Sequence, residues 1–429
     1  MKNIGVCLVF IAMSAICFGQ VGDSIVHPEV RVESQRISEA IGTSVSETDS
    51  LLFVLLKLQG LAKILQTESF ISTRSYAPGG IANYSVRGSG SQHTQVVWDG
   101  IPINDPMLGQ TDLSTVALNG ISSVRVLYGS AGLTNNSGGI GGTIELQSLQ
   151  PRKKDGFDAK LNLYAGSFGA YGVAVQLRDK YKFLFGTTTI EYHTAKNSFP
   201  YLNLATLVDR ERVLEHAQVE RIGFSKSIGA QINAKNTLTA RVNYSQVDRE
   251  LPPTMVMAST KEELFDRDIW ASLKWTRLGT RSSLNVTASY IHGKQEYSDN
   301  NQYTFNHLYQ ASKNLVRYKL YLPYNLQLEV GGDVFAEHAK SDSAFRNDSH
   351  WRQWQAVFAS LKYVPKKWVA AQVLVREDVI DGKFSPVQGL VGVEVKPTNW
   401  FFVKGNVARN FRAPTLNDLY WRPGGNEDL

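Results

Sequence analysis

The sequence predicts a mainly β protein: a small glycine-rich head followed by a long series of antiparallel strands built for a membrane. Three observations carry this expectation. The chain opens on an apolar leader that marks it for export. After residue 20 no apolar run approaches the ~18 residues a membrane helix needs. From about residue 150 onward, hydrophobicity alternates with period two, segment after segment. An exported chain with no such helix can enter a membrane only as a closed β-barrel, because lipid offers no partner to backbone N–H and C=O groups.

Residues 1–20 read as a secretory signal peptide. Lys2 supplies the positive start, the run from Val6 to Phe18 is apolar, and Gly19-Gln20 offers a small-residue exit. A lipoprotein site at Cys17 is disfavoured, because Ile16 is large for the residue before a lipidated cysteine. Both cysteines, Cys7 and Cys17, lie inside this leader. The exported chain would therefore have no disulfide framework and no thiolate chemistry. The net charge of +6 is spread along the chain, without the dense Lys/Arg run of a nucleic-acid face. Residues 21–33 are read as a linker.

Residues 34–149 form the expected head. Within it, Phe70 to Gly80 leads to Tyr84-Ser-Val-Arg87-Gly88, then to Gln95-Val-Val-Trp-Asp99-Gly100-Ile-Pro-Ile103 and Asn104-Asp105-Pro-Met-Leu-Gly-Gln110. Ile121 to Gly129 follows, and Gly138-Gly139-Ile-Gly141-Gly142-Thr-Ile-Glu-Leu146 closes the run. Asp99-Gly100 between two β-runs is a strong hairpin signal. The glycines at 138, 139, 141 and 142 permit a close backbone approach. A dinucleotide-binding loop is rejected here, because Thr143 to Leu146 is itself a strand and no helix opens after the glycines.

Residues 150–429 form the expected wall. Leu238, Ala240, Val242 and Tyr244 alternate with Thr239, Arg241, Asn243 and Ser245. Leu284, Val286, Ala288 and Tyr290 alternate with Asn285, Thr287 and Ser289, and the segment carrying Leu326, Leu328 and Val330 repeats the pattern. About thirteen such segments occur between Gly156 and Phe411, longer than the ~5–6 residues of soluble strands. Short turns (Asp179-Lys180, Leu278 to Thr280, Pro323, Pro365 to Lys367, Pro397 to Asn399) alternate with longer polar loops near 197–214, 249–265, 298–307 and 341–350. That alternation is the habit of outer-membrane barrels. Tyr321, Tyr324, Trp368 and Trp400 gather at strand ends, where an interfacial ring belongs. An odd count leaves an open sheet, and the sequence stops at Leu429 in a polar stretch, so a partial barrel is expected.

The order of motifs in the head closely resembles the plug domain of TonB-dependent outer-membrane receptors. In that family an RG strand end precedes a DG hairpin, a V-E-V-x-x-G strand and a Gly-rich turn into G-G-x-I. Here these are Arg87-Gly88, Asp99-Gly100, Val124 to Gly129 and Gly141-Gly142-Thr143-Ile144. Trp98 and Arg125 depart from the usual aliphatic and acidic residues. The wording around Ser75 to Gly79 and Pro106 to Gln110 looks most like the vitamin B12 (cobalamin) receptor branch of Bacteroidetes-type bacteria, and Asn410 to Tyr420 also resembles a loop motif of family barrels. The resemblance implies a small mixed α/β plug inside a transmembrane barrel of about 22 strands, located in the Gram-negative outer membrane. It implies import of a scarce ligand, cobalamin or a metal chelate such as a siderophore or haem, driven by the partner protein TonB. TonB would take an extended peptide by strand addition, and Asp23, Ser24, Ile25 and Val26 resemble its acidic-hydroxyl-aliphatic box. Arg74, Tyr76, Asn83, Asn104, Asp105 and Gln110 fall in the plug loops that face substrate in the family. The remaining partners would be outer-membrane lipid and the small ligand.

Two other functions fit the sequence less well. A barrel enzyme needs a nucleophile matched to a histidine. His193, His216, His292 and His338 are scattered, with no nucleophile elbow and no metal-ligand spacing. A passive porin or adhesin leaves the head unexplained. Glu262, Glu263, Asp266 and Asp268 form an acidic stretch without the spacing of an ion-binding loop, and neither metal nor cofactor is expected.

Overall fold

The computed structural model describes residues 41–75, 79–205, 210–256, 260–299, 303–345, 348–398 and 400–429. The leader, the box at Asp23, Ser24, Ile25 and Val26, and Tyr76 lie outside the described residues.

The head begins with β1 (Val45–Glu47), followed by α1 (Ser50–Leu56) and α2 (Leu61–Glu68). Asp49 starts α1 by accepting from the N–H groups of Leu51 (2.9 Å) and Leu52 (3.1 Å), which would otherwise be orphaned. Next come the hairpin β2 (Ile71–Ser75) and β3 (Ala82–Val86), then β4 (Thr94–Trp98), β5 (Ile101–Pro102), β6 (Ile121–Tyr128) and β7 (Gly142–Ser148). Five of these make one sheet in the order β1-β6-β7-β4-β5, with β4 parallel to β7 and the remaining pairs antiparallel. The Asp99-Gly100 turn joins β4 to β5 with both residues at positive φ (49° and 89°), the two-residue form that suits strand twist. Gly142 lets β7 close on β6: a Cβ there would sit 2.6 Å from the carbonyl oxygen of Leu127. Val96, Trp98, Ile101, Leu113, Val126, Ile144 and the Leu61, Ile64 and Leu65 face of α2 bury together.

The wall consists of β8 (Gly156–Gly166), β9 (Ala170–Tyr181), β10 (Leu184–Ala195), β13 (Val219–Asn233), β14 (Asn236–Glu250), β15 (Glu262–Leu278), β16 (Ser282–Asp299), β17 (Tyr303–Leu322), β18 (Leu326–Ser341), β19 (Ser349–Lys366), β20 (Val369–Ile380), β22 (Gln388–Val395) and β23 (Val403–Arg409). Thirteen strands thus run as one antiparallel ladder in chain order, with the two-residue β21 (Lys383–Phe384) beside β20 and a small hairpin of β11 (Pro200–Leu202) and β12 (Glu211–Val213) outside it. β8 and β23 are its two unpaired edges. We call the rim at which the chain passes from β7 to β8 the near rim, and the opposite one the far rim.

The alternation read from the sequence is present, and its sense is decisive. Thr239, Ser245, Thr287, Ser289, Gln327 and Glu329 face inward and are buried, whereas Leu238, Val242, Tyr290 and Val330 face outward and are exposed. Polar residues inside and apolar residues outside are the reverse of a soluble sheet. In water the outward face would be an apolar patch far beyond the few hundred Å² a monomer tolerates, whereas in lipid it is at home.

Several boundaries differ from those expected: Leu278 lies in β15, Pro365 and Lys366 lie in β19, and the loops expected near 197–214 and 249–265 contain β11, β12 and the start of β15. Asp179 and Lys180 belong to β9, and the turn lies at Lys182-Phe183. In the segment 298–307, expected as a loop, the described residues 298–299 and 303–307 are strand, because β16 and β17 continue pairing past the apolar band. Polar composition marks where a strand leaves lipid, but backbone pairing does not end there.

Candidate functional site

The head meets the wall in several regions, and in three of them inward-facing residues of the strands position the head.

The first is the segment leading into the head. Ile41 N–H donates to Gln372 Oε1 (3.0 Å) and Gly42 N–H to Glu394 Oε1 (3.1 Å). Asn406 Nδ2 donates to the carbonyl of Gly42 (2.7 Å), and Lys404 Nζ to that of Thr43 (3.3 Å). Three strands, β20, β22 and β23, therefore grip three consecutive residues. The approach is so close that a Cβ on Gly42 (φ 78°) would collide with the carbonyl oxygen of Gly405 and lie 2.8 Å from the backbone nitrogen of Val393. Only glycine fits there.

The second is a seam of buried charge. Arg221 on β13 lies 3.1 Å from Glu191 on β10, and its guanidinium also reaches the carbonyls of Leu58 (3.3 Å) and Ser114 (3.5 Å) of the head. Glu191 accepts from Asn119 through both its backbone N–H (3.2 Å) and its side-chain amide. Arg249 on β14 donates to Asp112 (2.7 Å) and Ser114 (2.5 Å) of the head and also pairs with Asp266 of β15. Trp98 donates to Ser148 (2.8 Å) and tilts against Trp270 of β15 at 6.0 Å, so the unusual ring at that position bridges head and wall. Arg125, the other departure, faces Glu145 across the β6–β7 pair at 2.5 Å. Lys57, between the two helices, is buried; that burial lowers its ammonium pKa while Glu191 opposes the shift.

The third is the top of the head. Arg74 and Asn83 stand opposite one another on the β2–β3 hairpin and are both exposed. Gly79, at the described side of its tip, abuts Val219 near the far rim. The loop from Asn104 to Gln110 is differently placed. Asn104 accepts from Val96 N–H (2.7 Å) and donates to the carbonyls of Thr94 (3.1 Å) and Gly109 (3.0 Å). Asp105 accepts from Met107 N–H (2.7 Å) and pairs with His307 Nε2 on β17 (2.7 Å). Gln110 accepts from the hydroxyl of Ser91. Above this loop lies the segment 410–421 with α3 (Leu416–Tyr420), whose Leu416 and Asn417 N–H groups donate to the carbonyls of Pro106 and Met107 (3.1 Å each). Leu416, Met107, Ala339 and Phe345 bury together beneath it. The strap is pinned by Arg352, which gives Nη1 to the carbonyl of Pro414 (2.9 Å) while pairing with Glu337 (2.6 Å), itself 3.0 Å from Lys313. The cavity left among these groups is ≈ 50 Å³, room for a few waters. His93 follows Gln92 of its lining, and burial and the Arg412 guanidinium both hold the His93 pKa below the usual histidine value.

Of the residues proposed to face substrate, Arg74 and Asn83 are thus exposed, and the side chains of Asn104, Asp105 and Gln110 are taken up by hydrogen bonds within the protein. Arg87 (φ 51°) and Gly88 (φ 80°) make a turn, with the Arg87 guanidinium 5.1 Å over the Tyr128 ring. Asp99 accepts from Ser148 N–H (2.9 Å). Gly129 donates to the carbonyl of Gly141 (3.0 Å), and Gly138 to Asn410 Oδ1 (3.3 Å); Cβ atoms on Gly139 and Gly141 would press on Thr143 and Ser89. The acidic stretch divides, since Asp266 takes Arg249 and Gln295, and Asp268 takes the hydroxyl of Tyr309 (3.0 Å). Among the described residues no group of three or more His, Cys, Asp or Glu could hold a metal. Sequence reading missed Gln372, Glu394, Arg221, Arg249 and His307. The signal available for them was a charged or amide side chain on the polar face of an otherwise plain alternating strand.

Comparison with known proteins gives a consistent result. The TonB-dependent receptor plug domain family matches residues 41–143, and the TonB-dependent receptor-like β-barrel family matches residues 218–429. The vitamin B12 transporter BtuB of Vibrio vulnificus is 23% identical over 427 residues, covering 96% of this chain and 66% of that protein. The vitamin B12 transporter BtuB of Photobacterium profundum is 20% identical over 387 residues, covering 87% and 60%. Among solved structures, the siderophore receptor PirA from Acinetobacter baumannii aligns with a TM-score of 0.71 at 14% identity, over 88% of this chain and 62% of its own. The ferric yersiniabactin uptake receptor FyuA from Yersinia pestis aligns with a TM-score of 0.63 at 11% identity, over 83% and 63%. The chain therefore spans 60–66% of the length of these relatives.

Proposed function

We propose, from the premise that this chain belongs to the TonB-dependent receptors, that it supplies the plug and part of the wall of an energised outer-membrane importer. The family and the inverted wall both imply the outer membrane; export by the leader at 1–20, the domain limits at 34–149 and 150–429 and the box at Asp23–Val26 are parts of the proposal. The ligand class is cobalamin or a metal chelate. The observation that carries the reading is the polar seating of the plug. Beside the apolar contact of Trp98 with Trp270, Arg221, Arg249, Gln372 and Glu394 hold it through hydrogen bonds that water can replace once the plug shifts. A pull on the N-terminal box would reach the grip on Ile41 to Thr43 first. Those four bonds, two of them to charged groups, resist with on the order of 5 kcal/mol, within reach of an external energy source and well above thermal noise.

The test is uptake in an outer-membrane context, with the chain joined to whatever sequence completes its wall. Import that stops when the proton-motive force is dissipated, or when Ile25→Pro blocks strand addition, supports the reading. Import that persists in both is what a passive porin predicts. Equilibrium binding of cyanocobalamin decides the ligand class, and the absence of binding at micromolar ligand removes cobalamin and leaves the metal chelates.

A further inference from the structure

The two rims differ in charge, and nothing in the importer mechanism uses the difference. On the near rim, Lys182 lies between β9 and β10, Lys235 between β13 and β14, Arg277 and Arg281 beside the next turn, Lys366 and Lys367 between β19 and β20, and Lys396 after β22. All are exposed, as are Lys153 and Lys154 on the approach to β8. The acids on this rim are few. Asp158 is already shared by Arg152 and Arg178, Asp155 accepts from the Lys182 N–H (3.1 Å), and Asp179 stands exposed. The far rim is mixed, with Glu215, Glu250, Asp299 and Asp381 set among Lys196, Lys261 and Lys383.

Two of the near-rim cations also sit on rings. Lys182 Nζ is 5.2 Å from the centroid of Tyr181, and Lys366 Nζ is 5.5 Å from that of Trp368. Phe183, Trp400 and Phe401 extend the belt, all exposed. The rings continue directly from the outward apolar face of the wall. A ring at the edge of hydrocarbon with a cation just beyond it places the charge at the depth of a lipid phosphate.

We propose that the near rim is a docking surface for the headgroups of anionic phospholipids in the leaflet it faces. Each of these turns adds one or two cations, so a headgroup phosphate meets positive charge at five of the wall's turns. The surface would seat the barrel at a fixed depth and gather anionic lipid around the side on which the plug is approached. This rests on the membrane reading above, and the experiment separates the two.

The chain, joined to the sequence that completes its wall, is reconstituted with vesicles of phosphatidylcholine, alone or mixed with phosphatidylglycerol, and the lipid retained after purification is measured. Phosphatidylglycerol should be enriched about tenfold or more around the protein, and the enrichment should fall as sodium chloride is raised. The triple variant Lys182→Gln, Lys366→Gln, Lys367→Gln should lose it. The far-rim variant Lys196→Gln, Lys261→Gln, Lys383→Gln should keep it. Equal retention of both lipids, equal loss in both variants, or displacement by free inorganic phosphate overturns this proposal alone. Association with neither kind of vesicle overturns the membrane reading and this proposal with it.

Discussion

At the scale of single residues, glycine and arginine do most of the positioning. Gly42 has no room for a Cβ among Gly405, Val393 and Gly392. Gly42→Ala should loosen the plug's lead segment by about 1–3 kcal/mol, seen as faster proteolysis ahead of residue 45 while the far-ultraviolet β signal is unchanged. Arg249 carries more. Its removal leaves Asp112 and Asp266 without their cation in a buried seam. Arg249→Ala should cost about 3–5 kcal/mol, the usual penalty for breaking one side of a buried pair, read as a lower midpoint of denaturant unfolding in detergent. Arg249→Lys should recover only part, because a single ammonium cannot reach Asp112, Ser114 and Asp266 as a planar fork does.

At the scale of elements, the strap 410–421 is the least self-sufficient piece. Its α3 is five residues long and depends on a capping box in which Thr415 accepts from Asp418 N–H (3.0 Å) and Asp418 accepts from Thr415 N–H (2.9 Å). Thr415→Ala should destabilise the strap by about 1 kcal/mol, raising hydrogen exchange at Leu416 and Asn417 above that of the plug sheet. Burial alone would raise the Asp418 carboxyl, but the Thr415 hydrogen bonds and the Arg412 guanidinium bring it below the ordinary carboxylate value. A lowered folded pKa means the stabilisation is complete above the unfolded value of about 3.9 and is lost as pH falls through the lower folded value. Protection of the strap should therefore not change with pH around neutrality and should fall in acid, and Asp418→Asn should remove that acid transition.

At the scale of the whole molecule, the wall's two faces make opposite demands. Val357 is outward and 65% exposed, while its neighbour Phe358 is inward and buried. A charge at Val357 would lie in hydrocarbon, so Val357→Arg should cost about 2–4 kcal/mol of stability in a bilayer. Exposed polar substitutions on the loops at the far rim should cost little. If Val357→Arg is neutral in lipid, the outward face is not a lipid face. The plug adds the second demand, since inward Arg, Glu and Gln side chains have to find partners on a separate domain rather than on water.

What the sequence determined by itself was local and periodic. Two-residue alternation fixed thirteen wall strands, because side-chain direction is a property of the strand itself, and Asp99-Gly100 fixed a hairpin, because both residues tolerate positive φ. The ordered motifs in the head placed it in its family. What only the tertiary structure decided was pairing between residues hundreds of positions apart. Nothing near Gln372, Glu394 or Asn406 in the chain announces Ile41 and Gly42, and nothing beside Asn104 or Asp105 announces that a strap and His307 would cover them. Loop polarity alone could not separate the open Arg74 and Asn83 from the enclosed Asn104, Asp105 and Gln110, since both loops have the composition of solvated turns. A polar side chain keeps the same chemistry whether it waits for a ligand or holds the fold together, and only the position of its partner tells the two apart.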